Sequence, residues 1–363
     1  MRRWVFGMSL VCALAVALSM SLLSAPVAAA PKPGAPCATA GKKIVTPTWV
    51  FTCSKKRGRL IWVRKARPTP APTPTPSPSP APTDDTTLAA LEFPATRGQE
   101  RPPPADAGPL GPWSTRILVS TSTTGASFAD GVQVIDQAGV PSLLALPDGR
   151  LLAYFVSWAQ DNVMAVGVLD GGAWRFYRLD IRGLASLANA VDPSAVLLPD
   201  GRVRLYWMQP VKSPGQSQIY SATSDPGTAL GIRFVIDNGS RLAPGTMVYD
   251  PTVAHCGGEW LMWVSEESRG TVTAQSSDGL SFREVATPPG LSGAFPWSAS
   301  CLPDGRMRLL VSRDRSAGLP LVGSSVGFVA DGPGLIPASG LADAGFARTA
   351  DGAWALAYMT PMG

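Results

Sequence analysis

One pattern keeps returning in this chain, and it limits the folds open to it. VDPSAVLLPDGRVRLYW occupies residues 191–207. Relatives of it begin at Gly139 (GVPSLLALPDGRLLAYF), Tyr249 (YDPTVAHCGGEWLMW), Phe295 (FPWSASCLPDGRMRLLV) and Ala342 (ADAGFARTADGAWALAY). Each copy is an apolar run, a tight turn and a second apolar run. The Pro-Asp-Gly-Arg turns at 147–150, 199–202 and 303–306 supply the left-handed glycine that lets two runs fold back as an antiparallel hairpin. Between the copies lie STTGASF at Ser122, VLDGGAW at Val168, SSDGLSF at Ser276 and an expanded TSDPGTALGIRF at Thr223. Each places a turn-forming residue before glycine and an aromatic shortly after, which closes a further hairpin. The unit is four strands, recurring at roughly 45 to 60 residues, the period of a propeller blade.

The expected fold is therefore all-β: a five-bladed β-propeller over residues 113–363. The last copy holds only two strands before Gly363, while residues 116–135 carry an orphan turn with its flanking strands. N-terminal strands are expected to complete the last blade, a closure that removes free sheet edges.

Upstream the composition changes three times. Residues 1–29 read as a signal peptide: Arg2 and Arg3, an apolar run over 4–23, then small residues suited to cleavage before Ala30, with an uncleaved anchor as the alternative. The mature protein is expected to be secreted or associated with the cell envelope. Residues 30–67 contain ten Lys and Arg and no acid, although the whole chain carries only +5, so the basic character is local and the remainder of the mature chain is net acidic. Cys37 and Cys53 bracket a turn in this stretch. In an oxidising compartment they are expected to pair and staple a β-hairpin module too small to build a core. Such a basic surface suits an anionic cell-wall polymer or membrane surface; it lacks the interleaved aromatics of a nucleic-acid binder. PTPAPTPTPSPSPAPT, at 68–83, is expected to be an extended polyproline II spacer, and the rest of the proline-rich linker stretch 68–112 an irregular segment lying against the propeller.

Repeated DP-x(6)-DG-R hairpins with SSDGLSF-type turns resemble the five-bladed propeller of furanosidases and related glycoside hydrolases, and the Asp-Gly turns resemble the Asp-box of sialidases. The stretch at 30–67 resembles a short cysteine module of exported bacterial proteins. In the furanosidase-like family the resemblance implies Asp, Asp and Glu at the start of successive inner strands, facing the central cavity. The corresponding column is Val140, Asp192, Asp250, Pro296 and Asp343. The first carboxylate is missing and the third is one methylene short, so the standard acid set is not in its standard places.

The expectation is accordingly a glycosidase-like propeller that binds a glycan or other surface ligand at its central mouth. The alternative is an exo-acting glycoside hydrolase with a rearranged set drawn from Asp192, Asp250, Glu266 and Asp343. A second alternative is a structural or protein-binding propeller of the envelope. Tyr249, Phe295 and Trp297 flank the column, where aromatic faces stack on sugars, and Arg313 is placed at the same rim. A sialidase would need an arginine cluster for the substrate carboxylate, and Arg150, Arg202 and Arg306 belong to turns at the far end. Asp170, Asp225 and Asp278 read as turn residues. His255 is the one histidine, and no Cys or His set has metal-ligand spacing, so neither metal nor cofactor is expected, and the protein is expected to be a monomer. Cys256 and Cys301 stand at nearly the same place in adjacent inner strands and are positioned to bridge two blades, although their columns differ by one and strand alternation can point them apart.

Overall fold

The structure is a computed structural model describing residues 31–45, 49–66, 88–105, 107–108, 111–187, 189–213, 215–266, 268–313, 318–335 and 342–362. The signal segment and the proline-rich stretch at 68–83 lie outside the described residues. Two compact units are present, residues 1–83 and 84–363.

In the first unit β1 (Lys43–Val45), β2 (Trp49–Lys56) and β3 (Arg59–Ala66) form one antiparallel sheet. The expected hairpin thus gains a third strand. Among the described residues its buried centre is Phe51, Cys53 and Trp62, and Cys37–Cys53 closes it with the Cα atoms 5.9 Å apart. A core this small needs such a staple.

In the second unit a short helix, α1 (Leu88–Leu91), leads into β4 (Glu92–Phe93), then β5 (Thr115–Ser122) and β6 (Val132–Asp136). Next come β7 (Ala138–Ala145), β8 (Leu151–Ser157), β9 (Val163–Asp170), β10 (Ala173–Arg178) and β11 (Asp180–Arg182). They are followed by β12 (Val191–Leu197), β13 (Val203–Pro210), β14 (Ser217–Ser224) and β15 (Arg233–Ile236). The third group is β16 (Val248–Cys256), β17 (Glu259–Glu266), β18 (Gly270–Ser276) and β19 (Arg283–Val285). The fourth is β20 (Phe295–Cys301), β21 (Met307–Ser312), β22 (Leu319–Ser324) and β23 (Gly327–Ala330). The chain ends in β24 (Ala342–Arg348) and β25 (Trp354–Pro361).

These strands make five sheets, ordered β4-β10-β9-β8-β7, β11-β15-β14-β13-β12, β16-β17-β18-β19, β20-β21-β22-β23 and β24-β25-β5-β6. The last combines the C-terminal hairpin with β5 and β6, Leu356 facing Ser120. β7, β12, β16, β20 and β24 each pack against the next, and β24 against β7. The arrangement is propeller-like. Two strands were not foreseen, β4 and β11, and the latter joins its sheet in parallel to β15.

Local chemistry explains the repeat. In each Pro-Asp-Gly-Arg turn the glycine takes a left-handed φ (92° at Gly149, 83° at Gly201 and Gly305). The aspartate accepts the backbone N–H of the arginine two residues on, and the guanidinium folds back onto the same carboxylate, as in Arg306–Asp304 at 2.7 Å. In the outer turn at 276–282, Asp278 accepts the N–H groups of Leu280 and Ser281 while Ser276 accepts that of Gly279. Asp278 is a turn residue, as expected.

Sheets are joined by repeated contacts. Arg204 lies over the Trp260 ring of the next sheet at 5.8 Å and Arg308 over Trp354 at 4.9 Å. Trp207 and Trp263 are fully buried. At the axis, hydroxyls cross from one inner strand to the next. Ser142 accepts the Ala195 N–H (3.2 Å), Ser194 that of Val253 (3.0 Å) and Ser298 that of Phe346 (3.1 Å), while Thr252 donates to the Pro296 carbonyl (2.9 Å). Inner-strand edges have no ladder partner on the axis side, and a buried N–H left without an acceptor costs about 1–3 kcal/mol; the hydroxyls supply that partner. The seam between β24 and β7 works differently. Ala344 has no hydroxyl, and a Cβ on Gly345 would stand 2.7 Å from the Pro141 carbonyl oxygen and from the Leu143 nitrogen. Glycine lets the two backbones close directly.

Candidate functional site

Every inner strand bulges where it enters the axis. Register breaks fall between Gly139 and Ser142, Val191 and Ser194, Tyr249 and Thr252, Pro296 and Ser298, and Ala342 and Ala344. Within four of the bulges one residue has left-handed backbone: Val140 (φ 55°), Asp192 (57°), Asp250 (51°) and Asp343 (42°). Aspartate tolerates that region; a β-branched valine is a true outlier in it. Strain of this kind persists only where surrounding structure imposes it. The imposed geometry turns these side chains onto the axis.

Together they line a pocket of about 20 Å³ with Pro141, Pro193, Pro251, Thr252 and Trp297. That is room for about one water or one hydroxyl. Asp192, Asp250 and Asp343 keep partial solvent contact through the opening, while protein encloses them on the other sides. The Asp250 N–H donates to Asp192 Oδ2 at 3.3 Å.

Burial and mutual repulsion disfavour three charges in so small a space. Burial raises the Asp192 carboxyl well above the ordinary range, with the charge of Asp250 adding to it. Burial, then the same charge, pushes Asp343 up to about 7. Burial raises Asp250 to about 6 against an opposing hydrogen bond from Ser265. The three titrate as a coupled group, and near neutral pH the cluster holds protons that free aspartates would have lost.

The fourth sheet contributes Trp297 where Pro296 was expected. Its bulge inserts a single residue, since Pro296 faces Val311 and Ser298 faces Leu310, and that residue is the tryptophan. Pro296 is buried and its carbonyl is held by Thr252. Tyr249 and Phe295, next to the bulges, are 37% and 36% exposed, large apolar side chains left open to solvent.

Two expected members stand elsewhere. Glu266 is nearly inaccessible, but it is hydrogen-bonded by Ser268 at 2.6 Å and ion-paired with Arg269, which also binds Glu284. The Ser268 hydrogen bond, then Arg269, holds its carboxyl below the usual range, so it stays ionised and does not line the pocket. Arg313 donates to the Gly290 carbonyl at 2.8 Å and does not line the pocket either. His255 stacks on Trp260 at 4.3 Å, at the other end of its strand from Asp250. Cys256 and Cys301 do pair, with the Cα atoms 5.4 Å apart. Among the described residues no group of three or more His, Cys, Asp or Glu side chains has metal-binding geometry. No described helix is long and apolar enough to cross a membrane.

The hydroxyls one position beyond the bulge, Ser142, Ser194, Thr252 and Ser298, went unread in the sequence. Their signal was present as Pro-Ser, Pro-Ser, Pro-Thr and Pro-Trp-Ser after the column.

Fold and site together define a propeller-like β protein with an acidic axial mouth. No family model matches the chain, and no curated protein matches it. Among solved structures it is similar to the α-L-arabinanase of Penicillium chrysogenum complexed with arabinobiose (14% identity, TM-score 0.42, 65% of this chain and 76% of that one). It is similar also to the GH43_1 enzyme from Xanthomonas citri (17% identity, TM-score 0.41, 62% and 88%). A third is the α-L-arabinofuranosidase from Clostridium thermocellum (17% identity, TM-score 0.39, 54% and 72%). Likeness at this level extends to neither substrate nor catalytic residues.

Proposed function

We propose that the second unit is a five-bladed propeller, closed by its own N-terminal strands, that binds a glycan at its axial mouth. The observation that carries this reading is the convergence of Asp192, Asp250 and Asp343 on one pocket beside exposed Tyr249 and Phe295. Carboxylates accept hydrogen bonds from sugar hydroxyls, and aromatic faces cover the apolar faces of the ring. The pocket's size favours binding over cleavage. At about 20 Å³ it admits one hydroxyl, so a sugar ring rests outside it and its glycosidic bond does not sit between the acids, as hydrolysis requires.

A second reading, exo-acting hydrolysis, draws on the raised carboxyls of Asp343 and Asp250, since a protonated acid beside an ionised one is what general acid catalysis uses. The test is a panel of neutral oligosaccharides, aryl furanosides, aryl pyranosides and a sialoside, with Asp192→Asn and Asp250→Asn alongside the parent. The expected result is saturable binding without turnover, weakened roughly tenfold in each variant and most strongly at alkaline pH, where an ionised acceptor is the group replaced. Turnover abolished in both variants would establish a hydrolase instead. No glycan binding by a folded parent protein would leave a structural or protein-binding role.

The basic module fits export and attachment to an anionic polymer or membrane surface. Lys32, Lys42, Lys43, Lys55, Lys56, Arg57, Arg59, Arg64 and Lys65 are all exposed, and no acid offsets them within residues 30–67. Retention on anionic vesicles, absent on zwitterionic ones and lost at high salt or on deletion of residues 30–67, is the expected behaviour. Equal retention on both vesicle types would refute it.

A further inference from the structure

The axis has a second opening. Inner strands start at the acidic pocket and end on the far side, where the ends of all five enclose a cavity of about 280 Å³. Its walls differ in kind from the first mouth. Leu144, Ala195, Leu197 and Ala299 face it, only partly buried. Its polar groups are few and lie among the last residues of the strands: His255, Ser300 and Arg348. Among the described residues no carboxylate lines it.

Part of the charge at this end is paired within its own turn. The turns joining inner strands to their partners are here, and in three of them an Asp neutralises its own Arg: Asp148 with Arg150, Asp200 with Arg202, Asp304 with Arg306. The turn after β24 departs from that pattern. Asp351 is bound by Thr349 and by the Ala353 N–H, and Arg348 has no acidic partner among the described residues. His255 is held flat against Trp260, and burial lowers its pKa, so at neutral pH it adds a hydrogen-bonding group without a second charge. The Cys256–Cys301 bridge ties two of the five walls together.

We infer that the opening opposite the acidic mouth is a separate binding site for a small monocarboxylate, its apolar tail between the inner strands and its carboxylate on Arg348. Partly exposed apolar walls gain by covering a chain, and an unbalanced guanidinium pairs a carboxylate in bidentate fashion. The volume is near the lower end of small-molecule pockets, which restricts the tail to a short one. Sugars are the wrong chemistry for these walls, so the two mouths take different ligands.

Calorimetric titration of the full-length mature protein with straight-chain monocarboxylates from butanoate to octanoate, and with the matching primary alcohols, tests this. Affinity for the carboxylates should rise up to about fourfold per added methylene until the cavity is full, then level off. Each alcohol should bind roughly tenfold or more weakly than its acid. Arg348→Gln, an exposed substitution, should bring the acids down to the level of the alcohols and leave the alcohols unchanged. Ala299→Phe should abolish both by filling the cavity, with its thermal midpoint reporting whether the fold is retained, whereas Asp192→Asn should alter neither. No saturable binding of any acid, equal affinity for acids and alcohols, or binding insensitive to Arg348→Gln would overturn the inference.

Discussion

Asp343→Asn should raise the thermal midpoint at pH 8 and leave it unchanged at pH 4. Asp343 titrates at about 7 in the folded protein, against an ordinary value of 3.8. Below pH 4 the folded and unfolded chains both hold the proton, and the carboxyl's contribution to stability is fully present. Between pH 4 and 7 the unfolded chain gives up its proton while the folded one retains it, so that contribution is progressively lost as pH rises and is gone above about 7. Asparagine resembles the protonated acid at every pH and escapes the loss. The expected gain at pH 8 is on the order of 1–3 kcal/mol after allowing for residual solvent contact, or several degrees in a domain of this size. Asp192 and Asp250 are shifted in the same direction, and the charge of Asp343 adds to the shift of Asp192, so removing it also relieves that carboxyl. Melting curves across pH 4 to 8 for parent and variant decide the matter. A variant destabilised equally at both pH values would mean that Asp343 is held by donors as an ordinary carboxylate. A stabilised variant that loses glycan binding would show the familiar exchange of stability for function at a strained, self-repelling site.

The opposite sign is expected for the bridge between the third and fourth inner strands. Cys256 and Cys301 are 45 residues apart in sequence, and a closed loop of that length corresponds to about 4 kcal/mol of unfolded-state entropy, toward the upper end of what disulfides usually deliver. Replacing both with alanine should lower the thermal midpoint by roughly 5–10 °C. Alanine is the appropriate choice because Cys256 is buried among Trp263, Leu261 and Met307, where a serine would add an unpaired hydroxyl. Adding reductant should bring the transition of the second unit in the parent down to that of the variant and leave the variant's unmoved, since Cys37–Cys53, which reductant also opens, belongs to the first unit. A midpoint insensitive to both would mean that inter-sheet packing alone holds those strands. The bridge also borders the second opening, so the double variant should bind monocarboxylates more weakly.

Much of the architecture was readable because it is local. Pro-Asp-Gly-Arg dictates a left-handed glycine and an Asp–Arg clasp within four residues, SSDGLSF folds onto its own amides, and their alternation at a blade-like period marks the sheets. Asp192, Asp250 and Asp343 were readable as a column for the same reason, each standing at a fixed distance before its turn. What tertiary structure decided depends on partners far away in the chain. The bulge in β20 leaves Trp297 alone unpaired, where those in β7, β12 and β16 set two residues opposite one, and that register, set by pairing with β21, brings Trp297 to the axis and leaves Pro296 paired with Val311 and buried. Glu266 shares a mouth with Asp250 by strand pairing, yet Ser268 and Arg269 capture it. Neither the pocket's volume nor the raised carboxyls follow from any one strand. They arise when side chains from distant segments are pressed into one low-dielectric space, where the cost of each charge depends on all the others.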